Sequence, residues 1–91
     1  RKMVWNKTNP PNVFIGTCYT CDKQLSFEDM ECGHIVAHAL GGTTEVSNLM
    51  PVCRTCNSDM GLQNMEAYRK KLWEMRGETY YDIPMQDQDD Q

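Results

Sequence analysis

Apolar positions recur along the last third of the chain with a helical period. Met65, Tyr68, Leu72 and Met75 follow the three- and four-residue spacing of one helix face within residues 63 to 76. Arg69, Lys70 and Lys71 fall mostly off that face, and Gly77 marks its end. An earlier helix is expected to begin near Arg54. Upstream, the apolar residues come in short runs. Val13, Phe14 and Ile15 read as a short strand or buried turn. Residues 27 to 36 carry Phe27, Met30, Cys32, Ile35 and Val36 and read as extended. Leu49 to Val52 reads as another short strand, with Pro51 placing it at an edge or a strand end. The polar stretch from Asn6 to Asn12 contains Pro10 and Pro11 and is expected to be loop, and Gly41-Gly42 interrupts the chain again. The order is strand, loop, strand, helix, with one cysteine pair ahead of the first of these strands and a second at the helix start. There are no internal repeats.

Length limits what this pattern can hold together. A chain of 91 residues is one small domain. It buries only about 60% of its unfolded surface, so it needs a further source of stability. The formal charge is -4, which taken alone argues against a phosphate-binding protein. The charge is unevenly placed. Residues 78 to 91 hold five acids and no base, whereas residues 1 to 77 hold nine bases and eight acids, 9 - 8 = +1. The expected organisation is a domain over 1–77 and an acidic tail over 78–91, disordered from about residue 84 because it has little apolar surface to bury. No apolar run approaches the roughly 18 residues of a membrane helix. No signal-peptide pattern opens the sequence, so an intracellular protein with reduced thiols is expected.

The five cysteines identify the missing stabiliser. Cys18-x2-Cys21 and Cys53-x2-Cys56 form two matched pairs separated by 31 residues. A two-residue spacing lets a tight turn present both sulfurs to one ion, and two such knuckles complete a tetrahedral thiolate site suited to zinc. Four thiolates leave no open position, so such a site is structural. The alternatives are two disulfides, disfavoured by the absent signal, or a redox pair, disfavoured by the matched duplication. Cys32 stands alone and is expected as a buried thiol.

Between the knuckles lie Glu31-Cys32-Gly33-His34, His38, Gly41-Gly42, Asn48-Leu49 and then Cys53-Arg54-Thr55-Cys56-Asn57. A zinc ribbon alone does not require a His and two Asn at these places. The arrangement resembles the HNH, or ββα-metal, endonucleases from about Cys18 to Gly61. It is most similar to the small HNH proteins of phages and large DNA viruses, with Trp5 as an N-terminal anchor. The resemblance implies a small α+β fold: a zinc-stapled ββα-metal core with a C-terminal helix. It implies metal-dependent DNA hydrolysis, with His34 as general base, Asn48 as the brace that keeps His34 aimed, and Asn57 as ligand of a catalytic Mg²⁺ or Mn²⁺. Where many members carry an Asp ligand before the His, this chain has Gly33. Glu31 and His38 are the candidates to take its place.

Each assignment has a plainer alternative. His34 could be a structural His, Asn48 a turn residue or cap, Asn57 an ordinary residue at a helix start, and His38 a solvated or core residue. Arg54 could contact a phosphate near the site. Arg69, Lys70, Lys71 and Arg76 could form a stripe for the DNA backbone or a solvated helix face. No sequence-reading element is visible, so specificity would be low or supplied by a protein partner or a further domain. The rival functions are a non-catalytic zinc module that binds DNA or protein, and a redox or metal-handling protein.

Overall fold

The computed structural model describes residues 1–77, so the expectations for the acidic tail lie outside the described residues. Two small antiparallel hairpins and three helices follow one another along the chain. A short helix, α1 (Lys2–Trp5), is followed by the first hairpin, β1 (Ile15–Thr17) and β2 (Gln24–Ser26). The second hairpin comprises β3 (Glu31–His34) and β4 (Leu49–Val52), paired Glu31 with Val52 and His34 with Leu49 at its ends. Helices α2 (Arg54–Met60) and α3 (Met65–Met75) complete the fold.

Local chemistry sets each boundary. Cys53 caps α2 with its own sulfur, which accepts from the Cys56 N–H. Asn64 caps α3 by accepting from the N–H groups of Glu66 and Ala67, satisfying donors that a helix start otherwise leaves unpaired. The core runs through Trp5, Leu25, Met30, Met50, Val52, Met60, Met65 and Tyr68, in contact with Cys18, Cys21 and Cys56. Each such apolar side chain contributes roughly 1.5–3 kcal/mol on full burial. The buried indole of Trp5 donates to the Val13 carbonyl at 2.8 Å, which fits its expected anchoring role. Burial, reinforced by a hydrogen bond to Asp59, pushes the Tyr68 phenol above its ordinary range.

The structure corrects the sequence reading in several places. Val13, Phe14 and Ile15 are exposed, because they lie at the outer side of a two-stranded ribbon that no other layer covers. Only residues 31–34 of the expected 27–36 extended segment form strand. Phe27 to Met30 turn instead, closed by Asp29 N–H donating to the Ser26 carbonyl. The first cysteine pair does lie in a turn, the one joining β1 to β2. On α3, Trp73 is buried, whereas Met75, expected on the apolar face, is 75% exposed. The indole of Trp73 rests on the first knuckle and donates to the Thr20 carbonyl.

Candidate metal centre and active site

The sulfurs of Cys18, Cys21, Cys53 and Cys56 all lie within 4.8 Å of one another. A tetrahedral zinc with bonds of about 2.3 Å needs sulfurs roughly 3.8 Å apart. Those of Cys21 and Cys53 are separated by 4.0 Å. Neighbouring N–H groups already point at the sulfurs: Cys53 N–H donates to Cys18 Sγ and Cys56 N–H to Cys53 Sγ. Burial tends to raise the Cys18 thiol, but hydrogen bonds from the backbone of Cys21, Cys53 and Thr20 and from the Thr20 hydroxyl outweigh it and bring it to about 7. Burial raises Cys21 and Cys56 instead, and the nearby Cys18 adds to the rise. Thiols crowded like this repel as thiolates, a cost that a cation removes. The four cysteines could therefore hold a zinc ion in a closed, structural site. Cys32 stands outside the cluster and lies half-buried against the core.

The knuckles are locked to the rest of the fold. Tyr19 N–H donates to the Pro51 carbonyl, tying the first knuckle to β4. Arg69 stacks on Tyr19 and Trp73 and donates to the Tyr19 carbonyl, while Arg76 donates to the Cys21 carbonyl at 2.6 Å. The planar heads of these two arginines tie the first knuckle to α3, with Arg69 half-buried and Arg76 exposed. Lys70 and Lys71 stay exposed, with Lys71 donating to Gln63. Arg54 is exposed at the start of α2. It borders a groove of about 500 Å³ that Glu28, Asp29 and Glu31 also line.

His34 ends β3, half-exposed. Its Nε2 lies 3.2 Å from Thr44 Oγ1, and its ring meets that of His38 edge-on at 5.8 Å between centroids. Asn48 spans the loop that follows. Its Oδ1 accepts from Val36 N–H, while its Nδ2 donates to the carbonyls of Val36 and Thr43. Gly42 permits this closure, because a Cβ there would fall on the Val36 carbonyl. Lys7 adds a second tie, its ammonium donating to the carbonyls of Val46 and Leu49 on either side of Asn48.

Asn57, on α2, faces β3 and donates from Nδ2 to Glu31 Oε1 at 2.8 Å. The structure thus places His34, Asn48 and Asn57 on one β-β-α unit, though no hydrogen bond joins His34 to Asn57 among the described residues. His38 sits beside His34 on a single helical turn, His38–Leu40. Thr44 and Lys7 were not singled out from the sequence. A loop threonine next to Thr43 and a lysine in a polar stretch give no signal of their own.

No helix among the described residues is long and apolar enough to cross a membrane. Comparison with curated proteins returned no match. A family model described as HNH endonuclease matches residues 18–73, from the first knuckle through most of α3. That match takes in both knuckles, His34, Asn48 and Asn57 and spans well over half of the chain, and on it the protein belongs to the HNH endonuclease family.

Proposed function

We propose that the domain hydrolyses DNA phosphodiester bonds in a reaction that requires a divalent cation. The observation that carries this reading is the placement of His34 on β3 and Asn57 on α2, with Asn48 latching the loop between them. A positioned imidazole suits proton abstraction from water. With Nε2 turned to Thr44, Nδ1 is the nitrogen left to take that proton. The water oxygen bonds to phosphorus, the bond to the 3′ oxygen breaks, and the products are a 5′-phosphate and a 3′-hydroxyl. Asn48 holds the His34 loop still through its three hydrogen bonds, so the base does not have to be ordered in each turnover.

The donors on α2 and β3 fit a hard cation. Asn57 Oδ1 and the Glu31 carboxylate are oxygen ligands, which suit Mg²⁺ or Mn²⁺. A cation bound there supplies charge neutralisation at the phosphate and at the leaving oxygen. Arg54, at the mouth of the adjoining groove, is positioned to hold a flanking phosphate.

Plasmid nicking tests this reading directly. Wild-type, zinc-loaded protein should nick with Mg²⁺ or Mn²⁺ and stop with EDTA. His34→Ala should lose the typical general-base contribution, about 10²- to 10⁴-fold. Equal nicking by both proteins, with or without EDTA, would refute the assignment.

A further inference from the structure

Residues 1–17 precede the stretch that the family model matches, yet they are built into the fold. Trp5 and Asn9 are both buried, although Asn9 is polar. The Trp5 carbonyl accepts from the backbone N–H and the side-chain Nδ2 of Asn9, and Asn9 Oδ1 accepts from Thr17 N–H on β1. Gly16 lets the two segments approach this closely, because a Cβ there would fall on Asn9 Oδ1. Lys7 stands midway between these two anchors, so its backbone is fixed while its exposed side chain reaches outward.

That side chain ends at the turn that carries Asn48. Nζ donates to the Val46 carbonyl at 2.8 Å and to the Leu49 carbonyl at 2.7 Å. These carbonyls belong to the start of the single helical turn Val46–Asn48 and to the first residue of β4. Leu49 is the partner of His34 across the hairpin. The neighbouring Asn48 carbonyl accepts from Ile35 N–H, on the β3 side. Carbonyls alternate in direction along a strand, so that of Leu49 points off the other edge of β4, where no third strand among the described residues pairs with it. An ammonium has three donors and no acceptor, and can serve two carbonyls at once. The turn is therefore held from two sides: Asn48 ties it to Val36 and Thr43, and Lys7 ties it to the N-terminal segment.

We infer that Lys7 is a positioning residue for His34. By pinning Val46 and Leu49 it fixes the strand end opposite His34 and the turn whose Asn48 latches the His34 loop. The site is thus completed by a segment outside the family-matched stretch. This inference rests on the nuclease reading for its purpose, but the hold on the loop is measurable without turnover.

The test compares two variants of the zinc-loaded protein. Lys7→Met keeps the apolar stem and removes the donors. Lys2→Met removes a charge from an exposed position on α1 and is the control. Zinc content and the melting curve of each variant establish that it is folded. Amide hydrogen exchange read by NMR at Ile35, Val36 and Asn48 should run about 5- to 30-fold faster in Lys7→Met and be unchanged in Lys2→Met. At saturating plasmid, kcat for nicking should fall roughly 10- to 100-fold in Lys7→Met with KM unchanged. Wild-type exchange at those amides in a folded Lys7→Met would overturn the inference while leaving His34-dependent nicking intact. Faster exchange with an unchanged kcat would overturn it too, as would an equal loss of kcat in Lys2→Met, which would assign the effect to charge. Faster exchange in a protein that never nicks would support the hold on the loop and refute the nuclease reading.

Discussion

The cysteine cluster, which joins the turn between β1 and β2 to the start of α2, and the His34 region are built in opposite ways. At the cluster, Cys18 and Cys56 are almost wholly buried and backbone N–H groups converge on the sulfurs. Around His34 the ring is half-exposed, and its neighbours are the side chains of Thr44 and His38. Four thiolates around one ion would leave no open ligand position, so the first region can do little except hold. The second has one rigid wall, one latched loop and an open side. A domain too small to be rigid through its core alone can thus place an exposed imidazole accurately, because the stiffness comes from elsewhere.

If that division holds, attacks on the two regions should have different consequences. The largest effect is expected from stripping zinc. Binding at such sites is worth of order 10 kcal/mol or more at neutral pH, comparable to the whole stability of a small domain. The helical circular dichroism signal should collapse on full removal and return with zinc; an unchanged spectrum from zinc-free protein would contradict the structural role.

Asn48→Ala is the intermediate case. It leaves the Val36 N–H and carbonyl and the Thr43 carbonyl without their side-chain partner at a place water can reach. A loss of about 1–2 kcal/mol in denaturant unfolding is expected. Nicking should fall by more than the folded fraction does, since the loop no longer aims His34. A drop in nicking matched entirely by unfolding would remove the aiming role.

Tyr68→Phe should have the smallest effect and belongs to the holding side. The folded phenol is raised by burial and by its hydrogen bond to Asp59. Its stabilisation is therefore complete below the ordinary tyrosine value of about 10 and is lost as pH rises from there toward the folded value. The variant should cost about 1 kcal/mol at neutral pH and be less sensitive than wild type to pH above about 10. Parallel urea curves for the two proteins across that range would show the assignment to be wrong.

Much of the closed region was legible in the sequence, because metal ligation is tied to fixed spacing: two CxxC pairs leave few geometries. His34, Asn48 and Asn57 were singled out by resemblance to the HNH family, and they fall on β3, just before β4 and on α2. What escaped depends on tertiary contact. Nothing local distinguishes Thr44 from Thr43, and Arg69 reads as a surface base until Tyr19 and Trp73 are found beneath it. Trp73 and Met75 lie on nearly opposite sides of α3, and it is the side toward Thr20 that is buried. The hairpin of β1 and β2 was missed because its strands are three residues long and only part of one face is covered, so no alternation builds up. Glu31 was a candidate from the sequence, but its hydrogen bond with Asn57 is a contact between β3 and α2 that no one-dimensional pattern reports.

One measurement bears most directly on the separation of holding from cutting. His34→Ala and wild type, both zinc-loaded, are melted and assayed for Mg²⁺-dependent plasmid nicking from the same preparations. The expected result is equal zinc content, melting temperatures that agree closely, and nicking lower by at least about 100-fold in the variant. Undiminished nicking by His34→Ala would contradict the account, as would a loss of nicking accompanied by a matching loss of zinc and fold.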